Sequence, residues 1–159
     1  MPDHDLTLVD CSAAHAEILA SLHAECFDNA WSAQEILALL ISPGLFGCIA
    51  EYRSEPAGFI LGRAVADECE ILTLGVLPPL RRHGIAARLL EKLTHEAAEL
   101  EIVKIFLEVA ADNEAAKNLY YSRDFVEIGR RKNYYNSLNG RHDALIFAKT
   151  KFNKTANLI

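Results

Sequence analysis

Fourteen residues decide how this chain folds: Leu74-Gly75-Val76-Leu77-Pro78-Pro79-Leu80-Arg81-Arg82-His83-Gly84-Ile85-Ala86-Ala87. An apolar strand over 71–77 runs through a short basic loop into a long amphipathic helix that begins near Gly84. On that helix Ile85, Leu89, Leu90, Leu93, Ala97 and Leu100 recur at helical spacing. Free N–H groups at a helix start, with about half a positive charge from the aligned peptide dipoles, suit a phosphate. Gly84 lets the backbone approach an anion with no Cβ in the way, and Arg81 and Arg82 add two permanent charges. No Gly-Lys-Ser/Thr and no Gly-x-Gly-x-x-Gly follows any strand, which excludes the usual mononucleotide and dinucleotide loops. Taken alone, the loop also reads as a plain strand–helix connection with exposed arginines.

Gly75 is a second clue, because glycine inside an apolar strand marks a bulge or a close backbone approach. A bulge would splay the strand from its neighbour and leave amide groups unpaired. A ligand with amides of its own could fill that gap. Coenzyme A has such amides in its pantetheine arm, and a pyrophosphate besides.

Outward from this stretch, residues 6–9 alternate like a strand, and Ser12 caps a helix with the stripe Ile18, Leu19, Leu22 and Cys26. Ser32-Ala33-Gln34-Glu35 is a capping box ahead of an apolar face made of Ile36, Leu37, Leu40 and Ile41, and Pro43-Gly44 ends that helix. Strands over 45–53 and 57–66 flank the turn Arg53-Ser54-Glu55-Pro56. Downstream come a strand over 102–109, a helix over 113–123, and strands over 125–136 and 142–149 around Asn139-Gly140. The order β-α-α-β-β-β-α-β-α-β-β predicts an α/β chain with a mixed sheet and helices on its faces.

The 159 residues make one domain, 1–159, with no repeat or linker to divide it. Apolar residues at 51% and charged residues at 24% exclude a disordered chain. No apolar run approaches a membrane span, and Met1-Pro2-Asp3-His4-Asp5 is acidic where a signal peptide is basic. Cys11, Cys26, Cys48 and Cys69 contain no Cys-x-x-Cys pair and read as free thiols of a cytoplasmic protein. His15 and His23 lack zinc-site spacing, so no metal is expected. The net charge of −6 argues against direct nucleic-acid binding. Charge is nevertheless uneven: residues 117–159 hold 9 basic and 3 acidic side chains. That excess is either a solvated edge or a face for an anionic partner.

Arg81-x-x-Gly84-x-Ala86 after an apolar strand resembles the acetyl-CoA signature of the GNAT superfamily of N-acetyltransferases. The resemblance covers nearly the whole chain and implies a mostly antiparallel mixed sheet of about seven strands with helices on both faces. It narrows with Leu107-Glu108-Val109, Asn113, Asn118-Leu119-Tyr120 leading to Phe125, Arg131-Lys132-Asn133-Tyr134-Tyr135 and Gly140-Arg141-His142-Asp143-Ala144. With Ala30-Trp31-Ser32, these resemble the bacterial RimI type, which acetylates the N-terminal alanine of a small-subunit ribosomal protein. The resemblance implies that Leu74, Gly75 and Val76 pair with pantetheine through backbone groups, and that an N–H near Val76 polarises the thioester carbonyl. Arg82, His83, Gly84, Ile85, Ala86 and Ala87 would cradle the pyrophosphate, and Asn113 would bind near the pantetheine arm. Glu108 matches the general base and Tyr120 the general acid. Trp31, Tyr134 and Tyr135 fall on the substrate side. Ala30 stands where RimI-type chains often carry proline, in a loop that shapes the substrate entrance.

The residues themselves agree for Glu108. Val103, Ile105, Leu107 and Val109 share one face of their strand, which leaves Glu108 on the other at its C-terminal end, where ligand clefts of α/β sheets open. By itself the same carboxylate also reads as a strand end in water. Tyr120 alone reads as a core aromatic, and His83 as an exposed loop residue. The expected function is acetyl-CoA-dependent protein N-α-acetylation by direct transfer in a ternary complex. The alternatives are acetylation of lysine side chains or a small amine, and a non-catalytic acyl-CoA-binding regulatory module.

Overall fold

The computed structural model describes residues 3–137 and 140–150. Met1 and Pro2, Asn139 of the expected closing turn, and the terminal segment from Lys151 lie outside the described residues. In chain order the elements are β1 (Leu6–Asp10), α1 (Ala16–Cys26), α2 (Ala33–Leu40), β2 (Leu45–Tyr52), β3 (Glu55–Val65), β4 (Glu68–Val76), α3 (Ile85–Glu99), β5 (Lys104–Ala110), α4 (Glu114–Ser122), β6 (Val126–Ser137) and β7 (Gly140–Lys149). This is the predicted order. The seven strands form one sheet, β1-β2-β3-β4-β5-β7-β6, antiparallel except at β4–β5.

Local chemistry sets the element ends. Ser32 Oγ accepts the Glu35 N–H at 3.1 Å while Glu35 Oε2 accepts the Ser32 N–H at 2.8 Å, which closes the capping box of α2. Arg53 and Ser54 both take positive φ, 52° and 68°, the backbone of a two-residue hairpin turn between β2 and β3. Ahead of α1 a single 3-10 turn, Ala13–His15, follows the predicted cap Ser12, whose N–H donates to His15 Nδ1 at 2.9 Å.

Strand alternation divides the core in two. Cys48, Ala50 and Ile60 join Leu89, Leu90 and Leu93 of α3 and Ile105, Leu107 and Phe147 on one face. Ile49, Phe59 and Leu61 meet Leu19 and Leu22 of α1 and Ile36 of α2 on the other. Neighbours in one strand thus feed opposite cores, so helices cover both faces as expected.

Four expectations needed correction. Ile18 and Leu100, assigned to the apolar stripes of α1 and α3, are 40% and 55% exposed, and Leu100 stands just past the end of α3. Along α2, Ile36 is buried, but Leu37 and Ile41 are 40% and 69% exposed. Ile36 reaches the core of Leu19, Leu22, Ile49, Phe59 and Leu61, with Leu40 partly buried against it, while the other edge of the stripe faces outward. Val103 lies before β5 rather than on its inner face, its N–H bonded to Asp67 O at 2.7 Å. The β4 bulge falls at Leu72, since Thr73 pairs with Leu61 and Ile71 with Gly62, and not at Gly75.

Candidate active site

β4 and β5 run parallel and pair only through Glu68–Lys104, Cys69–Ile105 and Glu70–Phe106. Beyond Glu70 and Phe106 the ladder stops, and the sheet opens towards the C-terminal ends of both strands. The opening lies between β4 and β5, whereas the bulge at Leu72 lies on the β3 side. Gly75 has a different cause: a Cβ there would come within 2.8 Å of the Phe59 ring and 3.1 Å of Cys26 Sγ. It is a close-approach glycine.

Strand alternation assigns the backbone groups that face the opening. The Leu77 N–H donates to Ala57 O on β3 at 2.9 Å. Gly75, two residues back, points the same way, and Leu74 and Val76 turn their N–H and C=O towards the open β5 side. Arg81 Nε donates to Val76 O at 2.9 Å, so the first loop arginine braces the strand end. The Val76 N–H lies at the same opening.

The loop then turns through two left-handed residues, Arg82 at φ 67° and Gly84 at φ 81°. Gly84 is the N-cap of α3, and a Cβ built on it meets nothing within 4 Å. Arg88 N–H takes up Gly84 O at 3.1 Å, leaving the N–H groups of the first turn, at Ile85, Ala86 and Ala87, as free helix-start donors. Ile85 is buried and contributes only its backbone there, whereas Arg82 and His83 are exposed. Open space above a glycine and a row of unpaired donors fit a pyrophosphate. Asn113 caps α4, its Oδ1 accepting the Ala116 N–H at 3.1 Å, which engages one of its two amide atoms.

Glu108 sits on β5 facing away from buried Leu107 and Val109, with a quarter of its side chain exposed. Arg131 Nη2 lies 3.2 Å from Glu108 Oε1, and the same guanidinium lies over the Tyr134 ring at 5.1 Å. Tyr134 and Tyr135 meet edge to face at 5.2 Å. Burial, and then the charge of Glu108, raise the Tyr135 phenol above its ordinary value. Glu108, Tyr134 and Tyr135 are therefore brought together, with Arg131 as a member the sequence did not single out.

Tyr120 is buried against Phe125 and Phe147, with ring centroids 5.4 and 6.3 Å away. Burial pushes its phenol well above the usual range. Trp31 belongs to a third group. Its backbone N–H donates to His23 Nδ1 at 3.0 Å, and its ring stacks on the His23 ring at 4.7 Å. The two rings, with Phe27, Asn29, Leu72 and Thr73, border a depression of about 300 Å³. His23 is buried, which lowers its pKa and keeps Nδ1 an acceptor. Helical spacing carried the signal for it: His23 lies four residues after Leu19 and seven after Ala16, both buried.

Much of the basic excess is paired. Arg130 meets Asp143 at 3.0 Å, Arg123 meets Glu91 at 3.1 Å, and Lys117 meets Glu114 at 2.6 Å. All four cysteines are free, and burial pushes Cys11, Cys48 and Cys69 up to about 12. Among the described residues no helix is long and apolar enough to cross a membrane.

A model of the acetyltransferase (GNAT) family matches residues 16–125. The [ribosomal protein bS18]-alanine N-acetyltransferase of Escherichia coli K12 is 39% identical over 92 residues, which is 58% of this chain and 62% of that protein. The N-alpha-acetyltransferase RimI of Mycobacterium tuberculosis is 32% identical over 139 residues, 82% of this chain and 84% of its own. The crystal structure of the Escherichia coli ribosomal-protein-S18-alanine N-acetyltransferase superposes with a TM-score of 0.87 at 27% identity, covering 97% of this chain and 99% of that one. With a matching family model over most of its length and the fold to go with it, the chain belongs to the acetyltransferase (GNAT) family.

Proposed function

We propose that this chain is an acetyl-CoA-dependent N-α-acetyltransferase acting on the N-terminal amine, alanine first, of a ribosomal protein. One observation carries the reading furthest: Glu108 stands at the open end of β5 beside the Tyr134–Tyr135 pair. The relatives that act on ribosomal protein bS18 or on protein α-amines support the choice of substrate.

Acetyl-CoA supplies the activated acetyl group. The N–H groups of Ile85, Ala86 and Ala87 take the pyrophosphate, with Arg82 and His83 at its edge and Gly84 leaving it room. Leu74 offers its backbone groups to the pantetheine amides, the Val76 N–H faces the thioester carbonyl at the end of that arm, and the Asn113 amide nitrogen is left for the arm as well. Gly75 contributes by letting Phe59 pack beneath the strand rather than by pairing.

A protonated amine cannot attack a thioester. An α-amine has a reference pKa of roughly 7.7–8.0, so about a tenth is neutral at pH 7, against well under a thousandth for lysine. Glu108, directly or through one water, is sufficient base for the first case. The nitrogen attacks the thioester carbonyl, the Val76 N–H stabilises the oxyanion, and the C–S bond breaks as the acetyl group passes to the amine, whose surplus proton leaves to solvent as the amide forms. Both reactants are bound at once, so no acyl-enzyme forms. The raised pKa of Tyr120 makes it a hydrogen-bond donor to the leaving thiolate, which then takes a proton from solvent. Trp31 and the tyrosine pair border the peptide's first residues.

Acetyl-CoA turnover is to be compared with an alanine-first peptide, an N-blocked lysine peptide and a polyamine. The reading predicts turnover with the first alone. Preference for the lysine peptide or the polyamine favours the side-chain or small-amine alternative, and coenzyme binding with no turnover favours the regulatory module.

A further inference from the structure

Asp143, on β7, meets both strands that carry the cluster around Glu108. Its main-chain oxygen accepts the Ala111 N–H at 2.8 Å, continuing the β5–β7 ladder one residue past Ala110 and Ala144. On its other side, β6 pairs Arg131 with Ala144 and then Tyr135 with His142. Three residues of β6, Lys132, Asn133 and Tyr134, therefore stand opposite the single residue Asp143. Such a bulge re-aims the side chains that flank it.

The Asp143 carboxylate fills this irregularity. Its Oδ1 accepts the Asn133 N–H at 2.9 Å, and its Oδ2 accepts from Arg130 Nη1 at 3.0 Å. Asn133 adopts a left-handed φ of 55°, which asparagine tolerates better than most residues with a side chain. The bulge is flanked by Arg131 and Tyr135, which reach Glu108, and it holds Tyr134, whose ring lies under the Arg131 guanidinium.

We propose that Asp143 is a positioning residue for the acceptor peptide: it clamps the three-residue bulge of β6 and thereby sets Tyr134, Tyr135 and Arg131 against Glu108. It touches neither reactant. The inference rests on the proposed peptide α-amine acetylation, because the aromatic pair it aims is the pair assigned to the peptide. The Asn133 N–H and Arg130 hold its carboxyl below the usual carboxylate value, in keeping with a charge used for a structural tie.

The test is steady-state kinetics of the full chain with an alanine-first peptide, comparing wild type, Asp143→Ala and Asp143→Asn. Asparagine keeps an acceptor for the Asn133 N–H and loses only the charge offered to Arg130. The expected result for Asp143→Ala is a peptide KM raised about tenfold, kcat within about threefold and acetyl-CoA affinity unchanged, with Asp143→Asn recovering most of the KM. A wild-type peptide KM in Asp143→Ala overturns the clamp while leaving the proposed function standing. Equal losses in peptide kinetics and coenzyme affinity, with no recovery in Asp143→Asn, also overturn it and make the residue merely structural. A wild-type protein that acetylates no peptide overturns the functional reading, and the positioning role falls with it.

Discussion

Arg131 Nη2 lies 3.2 Å from Glu108 Oε1, so the proposed base already faces a cation on the tyrosine side of the cleft. A cationic amine arriving there competes with the Arg131 guanidinium for the same carboxylate. Replacing the carboxylate by an amide keeps the shape and removes the base. Glu108→Gln is expected to lower kcat by about 10²–10⁴-fold with acetyl-CoA affinity unchanged. Raising the pH from about 7 to about 9 should partly rescue it, because more of the α-amine is then neutral. A variant that turns over at the wild-type rate near pH 7 removes Glu108 from the mechanism.

Gly84 caps α3 at φ 81° with open space where a Cβ would be. Gly84→Val is therefore expected to cost about 1–2 kcal/mol of stability for the left-handed backbone. It should also weaken acetyl-CoA binding by a larger factor, because the side chain enters the phosphate's space. Calorimetric titration of the folded variant reads the second effect separately from the first. Unchanged coenzyme affinity would take the loop out of the account.

Tyr120→Phe keeps the ring contacts with Phe125 and Phe147 and removes only the hydroxyl. Losing one hydrogen bond to a charged leaving group, roughly 1.5–3 kcal/mol, lowers kcat by about 10- to 100-fold with the fold intact. Burial holds the phenol above its ordinary value of 10.0, so the wild-type pH–rate profile should show no alkaline limb from it below about pH 10. An alkaline limb that vanishes in the Phe variant contradicts the hydrogen-bond role.

The parts of this site that lie close together in the chain were legible in the sequence. The strand, the basic loop and the helix start are consecutive, so Arg81, Gly84 and the first turn of α3 could be read directly. Glu108 could be read from the alternation of Ile105, Leu107 and Val109, which are all buried. The Arg131–Glu108 pair could not, because β7 inserts between β5 and β6 and a three-residue bulge then turns β6. Nothing local announces either feature. Gly75 was informative for the wrong reason: its neighbour is the Phe59 side chain, a tertiary contact that strand propensity does not encode. His23 was weighed only for zinc-site spacing with His15, and its partner, the Trp31 backbone N–H, comes from beyond the helix end.

His23 gives a pH signature of its own. Its folded pKa lies below the reference 6.5 because burial disfavours the charged ring. The unfolded chain therefore binds the extra proton between the two values. The stability from neutral His23 is complete above about 6.5 and is lost as the pH falls through the folded value. Thermal melts between about pH 7.5 and about pH 5 should show Tm falling more steeply in wild type than in His23→Asn, which keeps an acceptor for the Trp31 N–H. Parallel slopes in the two proteins would contradict this assignment.

The central claim is transfer to an α-amine, and locating the acetyl group by mass spectrometry tests it most directly. An alanine-first peptide that also contains lysines is incubated with the protein and acetyl-CoA, and the product is fragmented. The account predicts acetyl on the α-nitrogen of the first residue, and no product once that amine is blocked. Acetyl mainly on the lysines of the N-blocked peptide would contradict it, leaving family membership in place and the proposed substrate wrong.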